Sequence, residues 1–158
     1  MQRAILALTT LAAPAVATAA PGDWVPTEQE SALLQALSLR DGSPSCGEME
    51  AGLPNATASL TAVVAHVSMP PWAPMRAAEC LVAGHAVEVR ADVVRWVTDP
   101  GLKGLGILAL SRLDAMPADV AIEVASAAIE RGPDPAGARV RVAKAANPAV
   151  SGLAVVKP

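Results

Sequence analysis

Aromatic side chains are scarce in this chain of 158 residues, which contains three tryptophans but no phenylalanine and no tyrosine. Few rings are therefore available to stack sugars or bases, and this counts against a carbohydrate platform or a single-stranded nucleic-acid platform. The core must be built from Ala, Val, Leu, Ile and Met. Such small side chains let helices approach one another closely, so the composition favours layers of helix packed on helix.

The chain also lacks any run of charge of one sign. Its 12 basic and 15 acidic residues are scattered and give a formal net charge of −3. Binding to nucleic acid or to an anionic membrane surface would need a basic patch, so we expect neither as the main partner. Beyond the first twenty residues, no apolar run reaches the ~18 residues of a membrane-spanning helix, and we expect no membrane span.

The first twenty residues contain the three parts of an export signal in the required order. Met1-Gln2-Arg3 is a short positive segment, residues 4–17 are an apolar stretch, and Ala17-Thr18-Ala19 is a small-residue cleavage site. We therefore predict a cleavable signal peptide over 1–20, followed by a linker over 21–26. The protein is expected to be exported, to the periplasm or to the extracellular space.

Two short polar motifs predict helix starts after the linker. Thr27 with Glu30, and Ser45 with Glu48, have the spacing of a capping box, in which each side chain bonds the other residue's backbone amide. Glu48 and its neighbour Glu50 lie in a short polar segment, so we expect both carboxylates on a solvated face. The predicted N-terminal helices, within 27–56, are 27–39 and 45–52.

The sequence repeats part of itself. The segment "VVAHVSMP" at 63–70 returns as "VVRWVTDP" at 93–100, thirty residues later, with Val-Val, Val, Ser/Thr and Pro in register. A repeat of this length, with helical spacing of apolar residues and proline at the turn, is typical of stacked helix pairs. We predict an all-α fold, a short α-solenoid of about three stacked helix pairs over 57–158, with residues 148–156 as a terminal cap. The first helices of the pairs are predicted at 57–69, 87–98 and 118–131, and the second helices at 72–84, 101–113 and 135–146.

The second helices begin in similar ways. Asp99-Pro100-Gly101-Leu102-Lys103 places an apolar and a basic residue just after Asp-Pro, and Asp134-Pro135-Ala136-Gly137-Ala138-Arg139 is similar with one residue more. Pro74-Met75-Arg76 has the apolar and basic residues but lacks the Asp. The pattern resembles HEAT-type helical repeats over roughly residues 57–147. This resemblance implies an α-solenoid, a fold that is usually used to bind other proteins.

The segment 101–113 is apolar on almost every face. A helix of this kind must be buried on two sides, so we expect it to be a middle helix of the stack. When the second helices are aligned, Cys80 takes the position of Ile107, which predicts an apolar environment for this cysteine.

The chain has only two cysteines, Cys46 and Cys80. Two cysteines in an exported chain usually pair, so we predict a disulfide that ties the N-terminal helices to the first repeat. Two unpaired thiols are the alternative, because pairing requires a geometry that the sequence alone does not give.

The remaining reactive side chains match no established motif. Cys46, Cys80, His66 and His85 contain the right atoms for zinc, but the ligand spacing of a zinc finger is missing. His66 takes the position of Trp96 in the next repeat, which favours a packing role, and His85 follows a helix end, as expected of a cap. The chain has no nucleophile elbow and no phosphate-binding loop, so we predict no catalytic residue, no metal site and no cofactor.

Three side chains are candidate contacts for a partner. Trp72 and Trp96 recur near corresponding turns of the stack, and exposed aromatic residues are natural anchors for a protein partner. Arg76 lies one turn after Trp72 on the same predicted helix. The alternative for both tryptophans is a buried wedge between helices, which we favour because tryptophan is mostly buried in proteins.

These observations predict an exported, non-catalytic module that binds or scaffolds a protein or peptide. The alternative is a periplasmic redox or metal-handling protein that uses Cys46, Cys80 and one or both of His66 and His85. A purely structural accessory domain is a third possibility.

Overall fold

The computed structural model describes residues 24–155, and within that range the protein is all-α, with helices and turns and no strand. The prediction of an all-α fold is therefore confirmed. The predicted signal peptide and the start of the predicted linker lie outside the described residues. The α-helices of the described range are α1 (Glu28–Ser38), α2 (Cys46–Glu50), α3 (Ala56–His66), α4 (Trp72–Gly84), α5 (Arg90–Thr98), α6 (Lys103–Ser111), α7 (Ala118–Arg131), α8 (Pro135–Val142) and α9 (Pro148–Ser151).

Three helix pairs form the body of the protein. Helix α3 packs against α4, α5 against α6, and α7 against α8. The pairs stack because α5 also packs on α7, while α4 contacts α6 and α6 contacts α8. Helix α1 covers α4 at one end, and α9 with the 3₁₀ turn Gly152–Ala154 covers α7 and α8 at the other.

Both predicted capping boxes are present at the N-terminal helices. The backbone N–H of Thr27 donates to Glu30 Oε2 at 2.9 Å, and the N–H of Glu30 donates to Thr27 Oγ1 at 3.2 Å. Ser45 and Glu48 make the same reciprocal pair at the start of α2. These bonds satisfy amides that would otherwise have no partner in the first helical turn.

The predicted bounds 72–84 and 118–131 are those of α4 and α7, whereas the other helices are shorter than predicted, for local reasons. Helix α3 ends at His66 instead of residue 69, because Val67 is already extended with φ −96° and ψ 125°. Pro70 also keeps the helix from including residue 69, since a proline disfavours helical geometry in the residue before it. Helix α5 begins at Arg90 instead of 87, after a turn, and α8 ends at Val142 instead of 146.

The core contains leucine, valine and alanine side chains, and glycine allows the closest helix contact. A Cβ atom added to Gly106 of α6 would lie 2.6 Å from the carbonyl oxygen of Trp96 in α5. No real side chain tolerates that distance, so only glycine permits this approach of the two helices. Close packing of the helix backbones therefore fills the core of a chain that has few large aromatic residues.

The segment 101–113 is less buried than its sequence predicts. It begins with a 3₁₀ turn, Pro100–Leu102, and only then becomes helix α6. Gly106 and Ala109 are buried, but Ile107 is 39% exposed. The expectation of burial on two sides is therefore wrong for Ile107, because α6 has neighbours on only part of its circumference.

Among residues 24–155, every helix is too short or too polar to traverse a bilayer.

Candidate functional site

Cys46 and Cys80 form a disulfide, as predicted. The two Sγ atoms are 2.00 Å apart and the Cα atoms 5.5 Å apart. The bond joins the first residue of α2 to the middle of α4, so it fixes the short helix α2 on the first helix pair. Cys46 is half-buried and Cys80 is 2% exposed.

The equivalence of Cys80 with Ile107 is only partly correct. Cys80 does lie among apolar core residues, as the alignment predicts. The side chain of Ile107 instead reaches the surface of α6, so the two positions have different environments.

A carboxylate and an imidazole lie beside the disulfide. Glu50 follows Cys46 by one helical turn, so both side chains lie on one face of α2. A carboxylate oxygen of Glu50 lies within 4.8 Å of both Sγ atoms. Glu50 Oε2 is 3.2 Å from Nε2 of His85, whose Nδ1 is 2.9 Å from Oγ1 of Thr57.

The two carboxylates of α2 therefore differ. Glu48 faces solvent, and the hydrogen bonds that it accepts from the side chain and backbone of Ser45 lower its pKa. Glu50 has only 20% of its side chain exposed and faces the disulfide and His85. The expectation of a solvated face is correct for Glu48 and wrong for Glu50.

The two histidines are separated by the fold. The ring of His66 stacks on Trp24, with centroids 6.0 Å apart and an interplanar angle of 22°. This is a packing role, as its repeat position predicts. The backbone N–H of His85 closes α4 by donating to Leu81, as expected of a cap, and its ring contacts Glu50.

The four-residue zinc set is not assembled. Among residues 24–155, the group of three possible metal ligands whose atoms all lie within 4.8 Å of one another is Cys46, Glu50 and Cys80. The two cysteines are joined to each other, and a metal is bound by thiolates. In this oxidised form the three residues are therefore not a metal centre.

Arg76 and Trp72 hold the C-terminal end of α1. The Arg76 guanidinium donates to the carbonyl oxygens of Leu37, Leu39 and Arg40. Trp72 Nε1 donates to the carbonyl of Ser38 at 3.1 Å. The last carbonyls of a helix have no intrahelical partner, so these side chains supply the missing donors. Arg76 and Trp72, proposed as partner contacts from the sequence, are engaged inside the molecule.

Trp96 lies between the helix pairs, and 3% of its surface is exposed. Its backbone is the surface on which Gly106 packs. The structure thus places Trp96 as the buried wedge, and this corrects the alternative in which it is an exposed anchor.

A groove runs over the second and third helix pairs. It has a volume of about 390 Å³. Ile107 and Leu110 of α6 line one wall, and Ala138 of α8 lines the other. The floor includes Trp96 and Ala128, so the tryptophan that is wedged between the helix pairs also forms the bottom of the groove.

Two basic side chains flank the apolar part of this groove, Lys103 from α6 and Arg141 from α8. Neither joins an ion pair with another residue of 24–155. The acidic side chain in the groove, Asp134, accepts the N–H of Gly137 at 2.9 Å and so caps α8. The groove therefore combines apolar walls with unpaired positive charge.

Sequence reasoning missed the groove and the Glu50–His85 pair. A signal for Glu50 was present, because its spacing of four residues from Cys46 puts both on one helix face. No comparable signal existed for His85, which is 35 residues away from Glu50 in the chain. The groove depends on how far α6 and α8 separate, a tertiary property.

Comparisons of the chain with protein-family models, with curated proteins and with solved structures found no match. The choice among functions therefore rests on the geometry of the molecule itself.

Proposed function

We propose that this chain is an exported, non-catalytic protein-binding module of the HEAT-type helical-repeat class. Its ligand is a short peptide segment of a partner protein, bound in the groove between α6 and α8. The observation that carries the proposal is the groove itself, where exposed Ile107 lies between the basic side chains Lys103 and Arg141.

The HEAT-type assignment is supported by the two Asp-Pro helix starts. Asp99 Oδ1 accepts the N–H of Gly101 at 2.8 Å, and Asp134 Oδ1 accepts the N–H of Gly137 at 2.9 Å. Asp99 thus caps the 3₁₀ turn that precedes α6, and Asp134 caps the start of α8, with a proline directly after each aspartate. Stacked helix pairs provide extended surfaces that suit peptide binding.

The chemistry of the groove specifies the ligand. Exposed Ile107 and half-buried Leu110 favour an apolar side chain of the peptide, because contact removes apolar surface from water. Lys103 and Arg141 favour a carboxylate beside it, from Asp, Glu or a chain terminus. A nucleic acid is a poorer fit, since the chain as a whole is acidic and only two unpaired cations lie here.

The disulfide supports export. A disulfide within a folded chain is maintained in oxidising compartments and is rare in the reducing cytosol. A secreted or periplasmic location follows as part of the proposal.

The proposal is tested by selecting peptides from a displayed random library on the oxidised protein and measuring affinities by calorimetry. Selected peptides should contain an apolar residue next to a carboxylate. Ile107→Glu should weaken their binding at least about tenfold, which corresponds to about 1.4 kcal/mol, because it puts a like charge beside the ligand carboxylate.

The matched control is Val140→Glu. Val140 is 61% exposed on α8 but does not line the groove, so this variant adds the same charge outside the groove, on the other helix that borders it. Its affinity should stay within about twofold of the unmodified protein, since surface changes away from a binding site have small effects. Equal binding by both variants, or a library that yields no ligand, would contradict the proposal.

A further inference from the structure

Glu50 has an oxygen atom that the oxidised structure leaves unsatisfied. Oε2 contacts His85, but Oε1 is buried and accepts no hydrogen bond from any residue of 24–155. A buried carboxylate oxygen without a donor is costly, and such groups in folded proteins call for an explanation.

The two sulfur atoms of the disulfide lie beside this carboxylate. A carboxylate oxygen of Glu50 lies within 4.8 Å of both, a distance that a single water molecule can bridge. A disulfide has no hydrogen to donate, whereas a thiol does. Glu50 therefore gains a donor when the Cys46–Cys80 bond is reduced.

We infer that Cys46–Cys80 is a reversible redox pair and that Glu50 accepts the proton of Cys80 when the disulfide forms again. The co-reactants are low-molecular-weight thiols and disulfides, or the cysteine pair of a thiol–disulfide oxidoreductase. This inference is independent of peptide binding in the groove.

The two cysteines have different roles in the exchange. Cys46 is half-buried and Cys80 is 2% exposed, so an incoming disulfide RSSR reaches Cys46. The Cys46 thiolate attacks RSSR, one S–S bond breaks, a Cys46–SR bond forms, and RS⁻ leaves and is protonated to RSH.

Closure then occurs inside the protein. Glu50 takes the proton from Cys80, and the resulting thiolate attacks Cys46 Sγ. The Cys46–Cys80 bond forms and a second RS⁻ leaves, which takes up a proton to give RSH. In total, the two protein thiols lose two electrons and form one disulfide, while one RSSR gains two electrons and becomes two RSH.

His85 acts as a positioning residue. Its Nε2 holds Glu50 Oε2 at 3.2 Å, and its Nδ1 is held by Thr57 at 2.9 Å. Both hydrogen bonds fix the orientation of the Glu50 carboxylate and leave Oε1 without a partner. The His85 side chain is 18% exposed, which gives the accepted proton a route to solvent.

In the test, the reduced full chain is mixed with glutathione disulfide and samples are quenched with acid at successive times. Intact mass then measures how fast the Cys46–Cys80 disulfide closes. Glu50→Gln should slow conversion of the mixed disulfide to Cys46–Cys80 by about tenfold or more, since a positioned proton acceptor contributes roughly 10²–10⁴ in rate. The first step, isolated in a Cys80→Ser background, should be unchanged by Glu50→Gln. This split distinguishes proton transfer from a purely structural effect.

Glu130→Gln is the matched control, because Glu130 is an exposed glutamate of α7 remote from the disulfide. It should leave both steps unchanged. Equal closure rates for Glu50→Gln and the unmodified protein would overturn the inference. So would loss of the helical circular-dichroism signal on reduction, because the disulfide would then be needed for the fold itself.

Discussion

The two ends of the helix stack are held together by different interactions. In the N-terminal region, here residues 24–85, covalent and polar contacts join separate elements. The disulfide fixes α2 to α4, Arg76 and Trp72 bind the end of α1, and Glu30 Oε1 accepts a hydrogen bond from Ser59 of α3 at 3.0 Å. Each of these contacts spans about 30 residues or more of sequence.

In the C-terminal region, here residues 90–155, the contacts between helices are mainly apolar. The fully buried side chains of α7 are all small: Val120, Ala121, Val124, Ala125, Ala127 and Ala128. Polar contacts between elements lie at the surface, where Arg90 pairs with Asp119 and Glu123. Exposed ion pairs of this kind contribute little to stability.

This difference accounts for the location of each candidate site. The disulfide adds a covalent tie to α2, which is too short to be stable alone, and the contact with His85 holds Glu50 beside the sulfur atoms. Small side chains let α5, α6 and α7 pack closely, while α8 stays far enough from α6 to leave the groove. The reactive groups thus lie in the cross-linked region and the binding surface lies in the packed region.

The largest expected effect comes from removing the cross-link. The Cys46→Ala/Cys80→Ala variant should lose about 3.5–4 kcal/mol in free energy of unfolding, because the bond closes a loop of about 35 residues and restricts the unfolded chain. Chemical denaturation of the oxidised protein and the variant measures this loss. A loss below about 1 kcal/mol would mean that the N-terminal region does not depend on its cross-link.

An intermediate effect is expected in the packed region. Gly106→Ala should cost about 1–3 kcal/mol, because its Cβ would lie 2.6 Å from the Trp96 carbonyl oxygen and would push α5 from α6. Gly104→Ala on the same helix meets nothing within 4 Å. It should be neutral or stabilising by up to about 1 kcal/mol, from helix propensity alone. Thermal unfolding of the two variants compares them, and equal melting temperatures would refute the close-packing account.

The smallest effect should come from Arg76. Arg76→Met keeps most of the side-chain length but removes the donors to the end of α1, and we expect a loss of about 1–2 kcal/mol. Water can replace part of this interaction, because the carbonyl groups are near the surface. Peptide affinity at the groove should not change, since Arg76 acts within the N-terminal region. A weaker affinity would instead make Arg76 the partner contact that the sequence suggested.

Features that depend on neighbours in the chain were predictable from the sequence. The capping boxes at Thr27 and Ser45 require only residues three apart, and the structure has both. The helix pairs followed from the repeated Val-Val and proline pattern. The Cys46–Cys80 bond followed from elimination, since the chain offers no other cysteine.

The exposure or burial of a side chain that depends on how far apart two helices lie, or on how a helix is rotated, was not predictable from the sequence. Ile107 belongs to an apolar segment, yet it is exposed because α8 does not cover that side of α6. Glu50 belongs to a polar segment, yet it is mostly buried because the disulfide draws α2 onto α4. In both cases tertiary packing overrides the local pattern.

Hydrogen exchange tests the division of the molecule most directly. Amide exchange would be followed by mass spectrometry in the oxidised protein and in the Cys46→Ala/Cys80→Ala variant, since exchange reports local opening region by region. The account predicts faster exchange in α1 and α2 of the variant, with unchanged protection in α7. An equal increase in exchange in all helices would contradict it, because the two regions would then unfold as one unit and owe their stability to the same contacts.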